Sequence, residues 1–315
     1  MTQRLSEFPA VLVQVLGPTG VGKSRLALLL AQKFNAEVIS ADSMQVYRDF
    51  DIGTDKLPLS GRKGIPHHLI DVVGDCSQFN AARFLETAFA AAEAIRKRGK
   101  LPLVCGGTAL YLRTMIRGLF PQSPSRVVNR RQLQKLAAQQ GLDLLWRRLQ
   151  AVDPEYGAGV NPRDGVRIMR ALEIYYNHGA PPSQVFKQSR TPFQSYRFLR
   201  IGLTMERSLL YARIDARVER MLERGLLDEV CRLRRRYPPE CPPFQALGYR
   251  EIASYLDGEC DWEETVERIK RHSRQLAKRQ LTWFRREKDI HWFSLDQEEQ
   301  VFDLLWTRLE ELTHG

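Results

Sequence analysis

Gly17-Pro18-Thr19-Gly20-Val21-Gly22-Lys23-Ser24 is the stretch whose reading decides the fold. The apolar run Val11-Leu12-Val13-Gln14-Val15-Leu16 precedes it, and Leu26, Leu29, Leu30 and Phe34 follow at helical spacing. The order is strand, glycine turn, helix start, and the spacing G-x-x-x-x-G-K-S is complete; in that context such a loop binds phosphate. Glycines let the backbone curl until successive N–H groups face one anion. The N-terminus of the following helix adds partial positive charge. Lys23 adds a full charge, and Ser24 adds a hydroxyl suited to Mg²⁺. All eight residues are therefore expected to bind a diphosphate or polyphosphate, with Ser24 the expected metal ligand and Mg²⁺ the expected cofactor. The loop alone does not say whether the ligand is ATP. The plain alternative is an ordinary glycine turn.

Working outward, Glu37 to Ser43 predicts a second strand that ends in Asp42-Ser43. In open α/β sheets ligands sit at the carboxyl ends of strands, which puts Asp42 within reach of whatever Lys23 holds. Asp42 is also a suitable cap for the next turn. Strand-end placement favours a catalytic role. His67 to Val73 predicts a third strand, and its paired histidines point to opposite faces, which suits a structural role better than a shared metal. Phe79 to Arg98 predicts a helix, closed by Gly99. Leu101 to Cys105 predicts a fourth strand, running into Gly106-Gly107-Thr108 at the same edge of the sheet as Asp42.

From 121 to 195 no strand pattern occurs. Pro121, Pro124 and Ser125 read as a connection, and helices are expected over 128–140, 142–150 and 163–178. Arg163, Arg167 and Arg170 recur three or four apart, so they would share one helix face, either gripping phosphates or simply solvated. Strand character returns at 196–203. A long helical region follows over 207–236, with Arg213 and Arg217 one turn apart. The expected fold is α/β: a P-loop NTPase-like parallel sheet flanked by helices, built from 1–120 and 196–315, with an all-helical insertion over 121–195.

The chain has 315 residues and a formal net charge of +11, which attracts polyanions. That charge is concentrated. Between Arg268 and Lys288 there are nine Lys/Arg and one acid, Glu287, with Trp283 and Phe284 interleaved. So one-sided a helix repels itself unless it meets a polyanion, nucleic acid first and a membrane surface second. No apolar run approaches the ~20 residues of a membrane span. The N-terminus lacks the apolar core of a secretory signal, so a cytoplasmic location is expected. The five cysteines are odd in number and form no C-x-x-C pair, which predicts reduced thiols and neither a zinc ribbon nor a disulfide framework.

Several stretches together resemble one family, the bacterial tRNA dimethylallyltransferases (tRNA isopentenyltransferases). They are residues 17–24, Ser-Ala-Asp-Ser-Met-Gln-Val-Tyr at 40–47, Asp-Ile-Gly-Thr-Asp-Lys at 51–56, Gly-Gly-Thr-Ala-Leu-Tyr at 106–111, Asn-Pro-Arg-Asp-Gly-Val-Arg-Ile-Met-Arg-Ala-Leu-Glu at 161–173, Leu-Gly-Tyr-Arg-Glu at 247–251 and Gln-Leu-Ala-Lys-Arg-Gln-Leu-Thr-Trp-Phe-Arg at 275–285. They follow the family's order and span nearly the whole chain. The resemblance implies transfer of a dimethylallyl group from dimethylallyl diphosphate to the exocyclic amine of the adenine 3′ to the anticodon, with Mg²⁺, by a monomer.

The same resemblance implies that Asp42 takes the amine proton, and that Thr19, Lys23 and Ser24 hold the diphosphate. Thr108 would line the reaction channel. Arg217 would neutralise the leaving group, with Arg213 the fallback. Asp42, Ser43, Met44 and Gln45 would meet the base, Gln45 as donor and acceptor together. Arg163, Arg167, Arg170, Gln245, Gly248, Tyr249, Arg250, Lys278, Arg279, Gln280, Trp283 and Arg285 would meet the rest of the anticodon stem-loop. The chain ends without the paired Cys or His of the longer members' zinc finger, so RNA binding would rest on the insertion and the basic helix. A P-loop kinase of a nucleotide or metabolite would explain 17–24 and leave the basic helix unexplained. An RNA adaptor using nucleotide only as a switch would leave Asp42 without a task.

Overall fold

The computed structural model describes residues 10–121 and 128–314. The reading of the N-terminus and of Pro124 and Ser125 lies outside them. Two compact units emerge, one from Met1–Ile116 with Pro192–Gly315 and the other from Arg117–Thr191.

The first unit is built on a six-stranded sheet in the order β3-β2-β4-β1-β5-β6. The strands are β1 Ala10–Leu16, β2 Ala36–Ser40, β3 His67–His68, β4 Leu101–Gly106, β5 Tyr196–Leu203 and β6 Ile290–Phe293. Every pairing is parallel. Parallel strands need crossovers and are covered on both faces, which is why β1 and β4 read as almost unbroken apolar runs. Helices α1 (Lys23–Lys33), α2 (Ala81–Lys97) and α3 (Ala109–Arg117) supply those crossovers on the N-terminal side. From α1, Leu26 and Leu30 join Val13, Val15, Leu103 and Ile201 in one buried cluster.

The strand order is what assembles the site. β2, β4 and β1 are consecutive neighbours, with Ser40 opposite Cys105 and Leu16 opposite Gly106. Three loops must therefore leave the same edge side by side: the one with Asp42, the one with Thr108 and the phosphate loop. Gly106 permits this approach. A Cβ there would lie 2.2 Å from the Ala41 carbonyl oxygen, a backbone atom that has no room to yield.

The second half adds α9 (Arg207–Glu223), α10 (Leu226–Arg236), α11 (Tyr249–Leu256), α12 (Trp262–Phe284) and α13 (Glu298–His314) to this unit. α12 packs on α9 and α11. The 207–236 region is two helices, not one, because Gly225 (φ 88°) turns the chain between them. The expected strand over 67–73 is also shorter. Leu69 and Asp71 take positive φ (62° and 59°), which a ladder does not tolerate, so β3 stops at His68. Its histidines diverge as their adjacency requires: His68 bonds the buried Glu37 carboxylate, and His67 bonds the Ile65 carbonyl.

The second unit contains, among its described residues, α4 (Arg130–Gln140), α5 (Leu142–Val152), α6 (Pro154–Gly157), α7 (Gly165–His178) and α8 (Pro182–Lys187). One antiparallel bridge, Leu119 to Arg190, closes its base. Leu133, Leu145, Leu149, Ile168 and Leu172 form its core. α7 begins at Gly165 behind the cap Asp164, so Arg163 lies outside the helix and shares no face with Arg167 and Arg170.

The cysteine reading is overturned. Cys76 and Cys241 are joined by a disulfide, while Cys105, Cys231 and Cys260 are free. The bond ties the loop after β3 to the segment leading into α11, across 165 residues of sequence. Closing so long a loop removes chain entropy from the unfolded state, about 5 kcal/mol in the simplest account. Thiol titration of the denatured, unreduced protein should find the three free cysteines, and reduction should expose all five and lower the melting temperature. Five reactive thiols before reduction would show that the bond is absent from the isolated protein.

Candidate active site

A cavity of about 810 Å³ opens at the carboxyl edge of β1, β2 and β4. Within the phosphate loop, Thr19, Gly20, Gly22, Lys23 and Ser24 line it. Gly17, Pro18 and Val21 shape the loop from beneath, and Val21 is wholly buried in the sheet's core. Gly22 sits at the mouth of α1 with φ 107° and ψ 18°, a left-handed conformation that a side chain would strain. The Lys23 ammonium donates to the Pro18 carbonyl at 2.8 Å. Burial pulls its pKa down to about 8, against the attraction of Cys105, Asp42 and Asp55. An anionic ligand in this loop would therefore meet a poorly hydrated cation, which strengthens the attraction.

Asp42 lies just past β2 and lines the same cavity. Its capping role is seen directly. Its Oδ1 accepts the Met44 N–H at 2.8 Å and the Gln45 N–H at 3.4 Å, capping the turn. Its other oxygen takes no hydrogen bond among the described residues, so one acceptor remains for a ligand. Thr108 stands beside it: its hydroxyl accepts the Ser43 N–H at 3.1 Å, and its own N–H donates to the Ala41 carbonyl. Ser43, Met44 and Gln45 also line the cavity. The Gln45 amide is engaged inside the protein, accepting from Ser40 Oγ at 3.1 Å and donating to the Thr54 carbonyl at 3.1 Å.

α9 forms the facing wall. Arg213, Arg217 and Arg220 on the helix and Arg224 at its C-cap all reach the cavity, spaced four, three and four residues apart. Arg213 Nε donates to the Gly20 carbonyl at 3.2 Å. Arg217 donates through Nη1 to the Thr19 hydroxyl and through Nε to Asp55 at 2.8 Å. Arg217 is thus the arginine bound to the phosphate loop's side chain, ahead of Arg213. Arg220, Arg224 and Asp55 were not singled out from sequence. The 4-3-4 arginine spacing was legible, whereas the partner of Asp55 lies 162 residues away.

α12 closes the remaining side with Arg279, Gln280 and Trp283. Gln280 is a tie within the protein: its oxygen accepts the Thr19 N–H at 2.8 Å and its amide donates to the Gly107 carbonyl at 2.9 Å. Trp283 lies against the Arg113 guanidinium. The basic run is less one-sided in space than in sequence. Arg268 pairs with Glu264, Lys270 with Glu219 and Arg274 with Asp215, so acids outside the run, two of them on α9, quench three of the nine cations. Lys278, Arg279 and Arg285 are exposed and make no ion pair among the described residues.

Gln245, Gly248 and Arg250 also line the cavity. Tyr249 does not, and its expected RNA contact is corrected. It is completely buried, with its hydroxyl on Glu229 at 2.6 Å and its ring against Phe50. Burial raises its pKa far above the ordinary value, so it stays neutral. In the second unit, Arg167 pairs with Asp164 and Arg170 with Glu173, and Arg170 also covers the Phe120 ring.

The chain matches the family described as IPP transferase over residues 45–287 and that described as isopentenyl transferase over 10–64. It is 46% identical over 282 residues to a tRNA dimethylallyltransferase of Geobacter metallireducens, covering 89% of this chain and 91% of that one. It is 42% identical over 290 residues to that of Geobacillus thermodenitrificans, covering 92% of each. Among solved structures it resembles the full-length tRNA isopentenylpyrophosphate transferase of Bacillus halodurans, with 38% identity, a TM-score of 0.72 and coverage of 96% of this chain and 98% of that one. It also resembles a eukaryotic dimethylallyltransferase acting on tRNA, with 36% identity, a TM-score of 0.76 and coverage of 90% and 74%. The length and identity of these matches leave one assignment: the chain belongs to the IPP transferase family, the tRNA dimethylallyltransferases.

Proposed function

We propose that this protein moves a dimethylallyl group from dimethylallyl diphosphate to the exocyclic amine of the adenine 3′ to the anticodon in tRNA, releasing diphosphate. One observation supports this reading of the site above the rest. A phosphate loop, an arginine bound to that loop and a carboxylate with a spare acceptor share one cavity.

In this reading the loop amides and Lys23 hold the diphosphate, and Arg217 meets the charge that grows on it as the carbon–oxygen bond breaks. The free oxygen of Asp42 faces the incoming amine, orients it toward the allylic carbon and accepts its proton. The adenine must leave the anticodon-loop stack to reach this position, and unstacked loop bases are where RNA offers its edges. Thr108, Ser43 and Met44 form the floor it meets. Arg250, Lys278, Arg279, Arg285 and the insertion's Arg163, Arg167 and Arg170 are proposed to hold the surrounding phosphates.

Ser24 is exposed at the cavity, and among the described residues no group of three His, Cys, Asp or Glu could hold a metal. That donor set fits Mg²⁺ as the ion is usually bound, by one or two protein oxygens plus phosphate and water. When bound it supplies positive charge to the leaving diphosphate. A monomer is proposed, and a cytoplasmic location is proposed from the tRNA substrate alone, since the thiol argument fell with the Cys76–Cys241 bond. No described helix is long and apolar enough to cross a membrane.

The kinase reading is separated by label transfer. Carbon label in the dimethylallyl group should pass to unmodified tRNA, and γ-phosphate label from ATP should pass to no acceptor. The reverse result would replace this proposal with the kinase.

A further inference from the structure

Asp55 is an acid in a cavity built to take an anion, and that needs a reason. The residue takes φ 52°, a left-handed conformation that Asp and Asn tolerate better than other side chains with a Cβ. Its carboxylate accepts from Arg217 Nε at 2.8 Å and lies 3.9 Å from Arg224. The loop that carries it is held from behind by Glu229, a carboxylate buried on α10. Glu229 accepts the N–H groups of Asp51, Ile52 and Gly53 at 3.0–3.2 Å and the Tyr249 hydroxyl at 2.6 Å. Gly53 is packed so tightly that a Cβ would lie 2.4 Å from the Tyr249 ring. Glu229 thus holds the backbone on one side, while the buried Lys56 ties Asp51 to Asp71 on the other. The loop's backbone also carries Gln45, through the Thr54 carbonyl.

We propose that Asp55 is the positioning residue for Arg217, and that Glu229 positions Asp55 through the backbone of residues 51–53. A guanidinium is a planar fork. With Nε fixed on Asp55, the plane of Arg217 is set and Nη1 is carried to Thr19 in the phosphate loop. Without that anchor the guanidinium is one of four along α9 and its C-cap and free to settle wherever the ground-state diphosphate attracts it most. Asp55 thus spends some affinity for the diphosphate to keep Arg217 where charge develops as the bond breaks, which is the trade that raises turnover.

The proposal rests on the prenyl-transfer reading, and the test separates the two. Asp55→Asn keeps size and tolerance of positive φ but gives Arg217 Nε a neutral amide oxygen in place of a carboxylate, an anchor about half as strong. It should lower kcat about 10- to 100-fold, the usual scale for losing orientation near a reacting centre. KM for dimethylallyl diphosphate should stay level or fall, because the cavity loses an anion. The double variant Asp55→Asn/Arg217→Gln should be no slower than Arg217→Gln alone, as expected of two residues acting through one group. Glu229→Gln should reproduce the same pattern of lower kcat without a raised KM. Unchanged kcat in Asp55→Asn, a raised KM with unchanged kcat, or additive losses in the double variant would overturn the proposal while leaving prenyl transfer standing. Absence of transfer by the unaltered protein would instead remove the reading on which it rests.

Discussion

Asp42→Asn is expected to cost about two to four orders of magnitude in kcat while tRNA binding stays within about threefold, the scale on which a positioned proton acceptor contributes. The substitution is clean for a structural reason. The amide oxygen of asparagine can still accept the Met44 and Gln45 N–H groups that Oδ1 accepts, so the turn keeps its cap. What disappears is the second carboxylate oxygen, the acceptor left for the amine. Steady-state turnover with saturating tRNA and dimethylallyl diphosphate, alongside a tRNA binding isotherm, distinguishes the outcomes. Turnover near that of the unaltered protein would leave Asp42 as a cap and nothing more. An equal loss in binding and turnover would make it part of the RNA surface.

Arg217→Gln is expected to lower kcat about 10²- to 10³-fold, as removal of one donor to a developing anion does. Affinity for the product diphosphate should also weaken. Arg217→Lys should recover little, because an ammonium cannot bond Asp55 and Thr19 at once in the fixed fork the guanidinium provides. Arg213→Gln should cost less, since Arg213 reaches only the Gly20 carbonyl and touches no side chain of the loop. Measuring all three variants against diphosphate inhibition and turnover checks the ranking. A larger loss at Arg213 than at Arg217 would mean that the guanidinium on the loop's side chain is not the one that meets the leaving group.

The phosphate loop could be read directly because its function is local. Eight consecutive residues, a preceding strand and a following helix contain all the geometry the amides need. Placing Asp42 and Thr108 beside it needed only one further rule, that parallel strands present their carboxyl ends together. The errors fall where distant residues decide. Apolar 69–73 looks extended, yet Leu69 and Asp71 are turned by packing that no window of the sequence contains. Tyr249 sits in a polar motif and resembles a surface contact, but Glu229, twenty residues earlier, draws its hydroxyl inward. Counting cysteines by parity missed a pair separated by 165 residues. The basic helix looked unopposed because two of the acids that quench it, Asp215 and Glu219, lie on α9.

Gly225 belongs to a different class. A glycine inside a long helical pattern was visible, and apolar spacing on both sides hid that it breaks the helix. The arginines at 213, 217, 220 and 224 were equally visible. Their meaning depended on which face of the helix covers the phosphate loop, and Ile214 settles that by packing over Gly20.

The central claim is that a diphosphate-binding loop and a carboxylate with a spare acceptor act on one adenine of tRNA. Mass spectrometry of the nucleosides from unmodified tRNA, incubated with the protein, Mg²⁺ and dimethylallyl diphosphate, tests it most directly. The account predicts adenosine carrying one dimethylallyl unit on its exocyclic nitrogen, formed in step with free diphosphate and absent when the adenine 3′ to the anticodon is replaced. Diphosphate release without a modified adenosine, or a dimethylallyl unit on a different base, would contradict it.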